Sequence, residues 1–288
     1  MLKKITATLL MSISAAAFAV PLGSQSVLVV EDETGKVLVE KNANAVVPIA
    51  SLTKLMTAMV VLDAKQDLEE PISIDKEDID TLKHSTSRVP VGATATRGEI
   101  LQLALMSSDN RAAASLARTY PGGPAAFKAA VNAKIKALGM SNTHIEEPTG
   151  LSPNNTSTAA DLVKMASAAA RYPDIRRITT DPKEVITMKG RKIEYHNTNR
   201  LVGAKGWDIG LSKTGYTEEA GRCLIMRITQ AGRNATMVLL NARANSARLM
   251  DALNIRRLLA GGDEPKVVTA AGSRKKAART EHRRRRSI

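Results

Sequence analysis

PIASLTKLMTAMVV, residues 48–61, carries information on both the architecture and the chemistry of this chain. Its apolar run after a proline predicts a buried helix of about three to four turns. Ser51 stands where the helix begins, and Lys54 follows one turn later on the same face. The pair has two interpretations. Ser51 could cap the helix while Lys54 extends to solvent, or the two could be a nucleophile and its base.

The Ser-x-x-Lys spacing alone is weak evidence, because it occurs three times in the chain. Ser73 and Lys76 lie in the polar segment PISIDKED, which predicts a strand or turn. Ser273 and Lys276 lie in a strongly basic segment near the C-terminus. Only the pair in residues 48–61 opens an apolar helix, which is where a base with a lowered pKa would be expected.

Two distant motifs raise the specificity of the first. Ser108–Asn110 falls in a break between two predicted helices, whereas the second Ser-x-Asn, at residues 152–154, lies in a turn-rich loop. Lys213–Gly215, a Lys-Thr-Gly, occurs once and lies beside strand-like sequence. The order Ser-x-x-Lys, Ser-x-Asn, Lys-Thr-Gly is much more specific than its parts, and it is typical of serine acyl-transfer enzymes.

These motifs resemble those of the penicillin-recognising serine enzymes, in particular the low-molecular-mass penicillin-binding proteins, which are D-alanyl-D-alanine peptidases. ASLTKLMTAMVV, SSDN, GLSPNNTSTAADL and KTGYTEEAGR carry the resemblance, which spans about residues 27–259. The chain is most similar to the D-alanyl-D-alanine endopeptidase branch. The resemblance implies an α/β (α+β) fold of the β-lactamase/DD-peptidase type, peptidoglycan stem peptides as substrates, and β-lactams as covalent inhibitors.

Physical reasons can be given for the catalytic candidates. Ser51 at a helix N-terminus would expose its oxygen as the nucleophile and point its N–H toward an oxyanion. Lys54 would be the base, which requires a neutral amine. Burial and a second cation, Lys213, would lower its pKa. Ser108 would relay the proton to the leaving amine.

The substrate-binding candidates lie on the second and third motifs. Asn110 would orient the base and hydrogen-bond the substrate peptide. Lys213 and Thr214 on an edge strand would receive a carboxylate, and Gly215 would keep that strand free of bulk where the substrate pairs alongside. The resemblance implies that Tyr216 supplies the second N–H of the oxyanion hole.

No metal or cofactor is expected. GxSxG, HExxH and GxxxxGK[ST] motifs do not occur. The four histidines, His84, His144, His196 and His282, lack metal-ligand or triad spacing. Cys223 is the only cysteine, which excludes an intrachain disulfide, and its place in RCLIMRI predicts a buried structural thiol.

The order of predicted elements indicates an antiparallel sheet built from both ends of the chain and flanked by helices, with an inserted all-helical lobe. The expected division is an α/β lobe at 20–66 plus 201–262 and a helical lobe at 67–200. The site should lie in the cleft between them. Strands are predicted within 26–41 and at 210–216, 223–229 and 235–242, and helices at 98–106, 110–120, 124–140, 158–172 and 246–262.

The first 19 residues predict export. Two lysines precede an apolar run that ends in Ala17-Phe18-Ala19, which is typical of a secretory signal peptide cleaved near Ala19. No later segment is apolar for long enough to cross a bilayer. The expected location is therefore the periplasm.

The formal net charge of +14 is concentrated near the C-terminus. Residues 263–288 are expected to form a basic, disordered tail, and RKKAARTEHRRRR within 272–288 favours binding to an anionic wall polymer or lipid surface. Nucleic acid is disfavoured as a partner because of the export signal and the lack of aromatic residues among the charges.

Three functional hypotheses stay open. The favoured one is an endopeptidase that hydrolyses D-alanyl-diaminopimelyl cross-links. The alternatives are a carboxypeptidase that removes terminal D-Ala and a non-catalytic wall-binding protein. A class A β-lactamase is disfavoured because the residues around Glu146 and Glu147 do not resemble its deacylation loop. Carboxypeptidase relatives continue with a β-rich domain and an amphipathic helix, whose absence favours the endopeptidase, although no residue decides between the two.

Overall fold

The computed structural model describes residues 22–261, so the predicted signal peptide and basic tail lie outside the described residues. The strands, in chain order, are β1 (Ser26–Glu31), β2 (Val37–Lys41), β3 (Val47–Pro48), β4 (Pro71–Ser73), β5 (Thr94–Thr96), β6 (Thr156–Ser157), β7 (Lys183–Met188), β8 (Arg191–His196), β9 (Asp208–Thr217), β10 (Gly221–Gln230) and β11 (Arg233–Ala242). The α-helices are α1 (Thr53–Asp63), α2 (Arg97–Leu105), α3 (Asn110–Arg118), α4 (Gly123–Ala137), α5 (Ala159–Ala169), α6 (Pro173–Thr180) and α7 (Asn245–Gly261).

The main sheet is antiparallel and has the order β2-β1-β11-β10-β9. β1 pairs with β11 from Ser26 opposite Leu240 to Glu31 opposite Ala235, and so joins the two ends of the chain. The prediction of a sheet built from both ends is therefore confirmed. β9, which contains the Lys-Thr-Gly motif, is an edge strand of this sheet.

The two faces of the sheet pack against different helices, because alternate side chains of a strand point to opposite faces. Val27 and Val29 of β1 belong to a core that includes Ala252 and Ile255 of α7. Leu28, between the two valines, faces the larger core, which contains α1 and the helices around it. The sheet is thus covered by a hydrophobic core on each face.

The segment between the two halves of the sheet is not all-helical, so that part of the prediction for residues 67–200 is wrong. β4 pairs with β5, and β7 and β8 form a hairpin. The hairpin turn, Lys189-Gly190, has two positive φ angles, 48° and 74°, which suit a two-residue turn. The alternation of polar and apolar residues in β7 is the sequence feature that indicates a strand here. In addition, α5 packs against β1, β10 and β11, and α6 packs against β9, so this segment also covers the sheet.

The helix predicted from residues 48–61 is α1, which follows a 3-10 turn at Ala50–Leu52. All nine residues from Thr53 to Val61 are buried. α1 contacts the helices from α2 to α6, so it is a central helix without a solvent-facing side over most of its length. Among residues 22–261, no helix combines the length and apolar character needed to span a membrane.

Candidate active site

Ser51 and Lys54 are in direct contact at the start of α1. Lys54 Nζ donates a hydrogen bond to Ser51 Oγ over 2.9 Å. Lys54 is 1% exposed, so its amine does not extend to solvent. No side chain caps the 3-10 turn or α1, so Ser51 does not serve as a side-chain cap. The pair has the geometry of a hydroxyl and an adjacent base.

The Lys54 amine has three hydrogen-bond acceptors, which matches its three donor positions. Besides Ser51 Oγ, it donates to Asn110 Oδ1 over 2.7 Å and to the Thr149 carbonyl over 2.7 Å. Burial lowers the pKa of Lys54 to about 8, although the Glu147 carboxylate opposes this shift. A substantial fraction of the amine is therefore neutral at mildly alkaline pH.

Asn110 is held in one orientation by its surroundings. It is the first residue of α3, whose N-terminus is capped by Asp109 Oδ1 accepting from Ala112 N over 2.9 Å. Asn110 Nδ2 donates to Ser85 Oγ over 2.8 Å, which leaves Oδ1 to accept from Lys54. The amide therefore links the helix start to the lysine.

A second lysine–serine pair lies across the cleft. Lys213 Nζ on β9 donates to Ser108 Oγ over 2.8 Å and to the Thr214 carbonyl over 3.0 Å. Ser108 has a φ of 60°, which is strained for a non-glycine residue. The pKa of Lys213 lies well below its usual value, first through burial and then through repulsion from Lys54 and Arg248.

The source of the lowered Lys54 pKa differs from the expectation. From the sequence, burial and the positive charge of Lys213 were both expected to lower it. In the structure, burial lowers the pKa of Lys54, and the repulsion between the two lysines lowers the pKa of Lys213. The buried Lys213 amine also faces Ser108 rather than open cleft.

The loop at residues 146–155 supports the Ser51 turn. The Glu147 carboxylate accepts hydrogen bonds from Thr149 N over 2.7 Å and from Gly150 N over 2.6 Å. Gly150 has a φ of 87°, and a Cβ there would lie 1.9 Å from the Ala50 carbonyl oxygen. The loop therefore packs directly against the backbone that carries Ser51. From the sequence, only a turn-rich loop is predicted at these residues.

Gly215 allows β9 to approach the same turn. A Cβ at Gly215 would lie 3.0 Å from the Ile49 carbonyl oxygen and 3.2 Å from Ser51 N. The absence of a side chain at Gly215 is thus explained by contact within the chain, whereas the expected reason was substrate pairing alongside β9. Tyr216, the next residue, is 51% exposed, and the Arg222 guanidinium lies 3.8 Å from its ring centre.

These elements surround a cleft of about 470 Å³. Thr214 Oγ1 donates to Thr198 Oγ1 over 2.6 Å at its wall. Lys54 and Lys213 lie beneath the surface. Six of the predicted residues line the cleft: Ser51, Ser108, Asn110, Thr214, Gly215 and Tyr216. Five further lining residues were not predicted: Thr198, Arg200, Arg222, Asn245 and Arg248.

The remaining titratable groups do not form a metal site. Among residues 22–261, no cluster of three or more His, Cys, Asp or Glu side chains could hold a metal ion. Cys223 is buried, and burial raises the pKa of its thiol to about 11. The prediction of a buried thiol is confirmed, and a thiol with a raised pKa is a poor nucleophile.

Comparison with known proteins agrees with this geometry. The chain is 45% identical to a D-alanyl-D-alanine endopeptidase of Pseudomonas aeruginosa, over 93% of this chain and 86% of the relative. It is 43% identical to a D-alanyl-D-alanine endopeptidase of Escherichia coli, over 87% of this chain and 81% of the relative. The fold is similar to penicillin-binding protein D2 of Listeria monocytogenes in its ampicillin-bound form. The TM-score is 0.72 at 28% identity, covering 84% of this chain and 98% of that one.

A family profile covers most of the sequence. Residues 13–244 match the D-alanyl-D-alanine carboxypeptidases of peptidase family S11. The matched region includes all three motifs and the whole five-stranded sheet. The chain is therefore a member of peptidase family S11, the D-alanyl-D-alanine carboxypeptidase family.

Proposed function

We propose that this protein is a serine D-alanyl-D-alanine endopeptidase that hydrolyses D-alanyl-diaminopimelyl cross-links in peptidoglycan through an acyl-enzyme on Ser51. The observation that carries the proposal is the 2.9 Å hydrogen bond from the buried Lys54 amine to Ser51 Oγ, in an open cleft. The two relatives named as endopeptidases support the choice of substrate.

Acylation begins with proton transfer from Ser51 to neutral Lys54. Ser51 Oγ attacks the D-alanyl carbonyl carbon and forms a C–O bond. The oxyanion is assigned to the N–H groups of Ser51 and Tyr216. This assignment is supported by the close packing of Gly215, the residue before Tyr216, against the Ser51 turn. Asn110 keeps the base oriented and is available to the substrate peptide at the cleft wall.

Cleavage of the C–N bond requires a proton on the leaving amine. Ser108 donates it and recovers a proton from Lys213, whose Nζ is hydrogen-bonded to Ser108 Oγ. Lys54 keeps the proton of Ser51 and returns it when the ester is hydrolysed, and a proton of the attacking water restores Lys213. The carboxylate beside the scissile bond is received by the Thr214 hydroxyl and Arg248. Water then hydrolyses the Ser51 ester, releases the D-alanyl acid and restores the serine. The overall reaction consumes one water per bond cleaved.

The rate of acylation should rise with pH, because the base must be neutral. A Lys54 pKa of about 8 leaves roughly 1% of the amine neutral at pH 6 and about half at pH 8. We therefore expect the second-order rate constant for acylation by penicillin to increase about 50-fold between these pH values and then level off. Stopped-flow measurements with a fluorescent penicillin test this.

Glu147→Gln is the informative variant for the pH profile. The Glu147 charge is the largest influence that raises the pKa of Lys54, so its removal should shift the midpoint of the profile to lower pH. Glu218→Gln, in the turn after β9, keeps the loop intact and should leave the midpoint in place. A rate that is independent of pH from 6 to 9 would show that Lys54 is not the base.

Digestion of purified cross-linked muropeptide dimers separates the two peptidase functions. The carboxypeptidase alternative is favoured by the description of the family, whereas the endopeptidase is favoured by the two named relatives. We expect monomers to appear with Ser51-dependent kinetics. Release of free D-Ala while dimers stay intact would replace the endopeptidase with the carboxypeptidase. Ser51→Ala is the control for contaminating hydrolases.

We further propose periplasmic action and β-lactam inhibition. The similarity to an ampicillin-bound penicillin-binding protein supports covalent inhibition. The predicted signal peptide supports export.

The basic segment 272–288 is proposed to bind an anionic wall or lipid surface. Deleting it should leave turnover of small peptides unchanged and weaken cosedimentation with vesicles that contain anionic lipid at low salt. Replacing its eight Lys and Arg by Gln is the matched control for length. Equal cosedimentation of all three proteins, with vesicles and with isolated cell wall, would refute this role.

A further inference from the structure

Three arginine side chains line one part of the cleft: Arg200, Arg222 and Arg248. The cleft lining includes no Asp or Glu among residues 22–261. Within the same described residues, none of the three arginines takes part in an ion pair. The wall therefore presents several guanidinium groups whose charge is not balanced by the protein.

Two of these arginines are held in place by the fold. Arg222 on β10 lies opposite Tyr216 on β9, and its guanidinium stacks 3.8 Å from the Tyr216 ring centre. Arg248 on α7 donates to the Cys223 carbonyl over 2.9 Å and also to Asn245. Such fixed guanidinium groups lose little conformational freedom when they bind an anion.

The arginines repel one another and the buried lysine. The pKa of Arg248 lies below its usual value, first through burial and then through the positive charge of Arg222. Arg248 in turn contributes to the lowered pKa of Lys213. A polyanionic ligand would relieve this repulsion, so its binding free energy should be more favourable than that of a monoanion.

The position of the arginines connects them with the leaving group. Arg248 is close enough to Lys213 to affect its pKa, and Lys213 donates to Ser108, the proposed proton donor to the leaving amine. All three arginines line the same cleft as Ser108, beside which the amine product forms in the proposed reaction. A terminal D-Ala leaves with one carboxylate. A cross-linked stem leaves with the carboxylate beside its amine and with further carboxylates along the peptide.

We infer that Arg200 and Arg222 extend the carboxylate site at Arg248 into a subsite for a leaving group with several carboxylates, and so favour cross-linked stems over terminal D-Ala. This inference rests on the proposed peptidase function and names the residues that set its specificity. The guanidinium groups bind carboxylates through charge-assisted hydrogen bonds, which are stronger than neutral ones.

The test compares two substrates in the full-length protein. For Arg200→Gln/Arg222→Gln, we expect kcat/KM on cross-linked dimers to fall about tenfold more than kcat/KM on a small peptide ending in D-Ala-D-Ala. Arg222→Lys should recover part of the loss, since it keeps the charge. Arg191→Gln, on the exposed hairpin β7–β8, is the matched control and should leave the ratio unchanged. Equal losses on both substrates would overturn the inference.

A binding measurement separates this inference from the proposed function. The free stem tripeptide that contains diaminopimelate should slow penicillin labelling of the wild-type protein. On the wild-type protein, the amidated tripeptide should have an inhibition constant about tenfold weaker than that of the free tripeptide. On the double variant, both tripeptides should be about tenfold weaker than the free tripeptide is on the wild type. If wild-type protein releases D-Ala and leaves dimers intact, the endopeptidase proposal fails while this competition still tests the subsite. Equal competition by the free and amidated tripeptides would overturn the subsite itself.

Discussion

Lys54→Arg should reduce acylation of Ser51 by penicillin about 1,000-fold, in the middle of the range for loss of a general base. A guanidinium stays protonated at every accessible pH, so it cannot accept the proton of Ser51. The role of base falls to Lys54 because its amine is hydrogen-bonded to Ser51 Oγ. The second-order rate constant for fluorescent penicillin labelling measures the loss.

Lys54→Met and Lys164→Arg complete this test. Arginine is larger than the site that holds Lys54, so Lys54→Arg could unfold the protein. Methionine fits a buried position and has no basic nitrogen, so Lys54→Met should fold and show the same loss. Lys164→Arg changes an exposed lysine that pairs with Asp161 and should label normally. A folded Lys54 variant that labels within tenfold of wild type would show that the base lies elsewhere.

Gly150→Ala should be among the most destabilising single-methyl substitutions in the protein. Its φ of 87° is strained for alanine, and its Cβ would lie 1.9 Å from the Ala50 carbonyl oxygen and 2.8 Å from Ser51 N. Backbone strain and overpacking together predict a decrease of roughly 2–6 kcal/mol in the free energy of unfolding. Because the displaced atoms carry Ser51, acylation of the folded fraction should also slow. Denaturant titration and labelling rates measure both effects.

Gly190→Ala isolates the backbone part of this effect. Gly190 has a φ of 74°, and nothing lies within 4 Å of the position that its Cβ would take. Its substitution should cost only the conformational strain, about 1 kcal/mol or slightly more, and should leave labelling unchanged. If Gly150→Ala is no more harmful than Gly190→Ala, then the loop at residues 146–155 does not support the Ser51 turn as described.

The sequence was sufficient to predict the motif residues and most of the architecture. Ser51 and Lys54 share a helix face, so their contact follows from a local period of about 3.6 residues. The strands of the main sheet have alternating or continuously apolar sequences, and their pairing from both chain ends was also predicted. The hairpin β7–β8 was missed because its turn, Lys189-Gly190, was included in a segment judged mostly helical.

The missed parts of the site depend on packing between distant segments. The Thr149 carbonyl accepts from Lys54 across 95 positions of sequence, and a carbonyl carries no signature in the residue type. Arg222 and Arg248 meet only because α7 packs on β10. The burial that lowers the pKa of Lys54 likewise results from helices that surround α1. The sequence shows a glycine at position 150, but it does not show that this glycine packs against the backbone of Ala50 and Ser51.

The most direct measurement is the site of covalent attachment of benzylpenicillin. The protein is incubated with the drug, checked for folding, and analysed by intact mass spectrometry and peptide mapping. We predict one adduct per chain on the hydroxyl of Ser51, formed slowly or not at all in Lys54→Met, in which Ser51 is intact. A folded wild-type protein without an adduct, or with its adduct on another residue, would contradict the assignment of Ser51 and Lys54 as nucleophile and base.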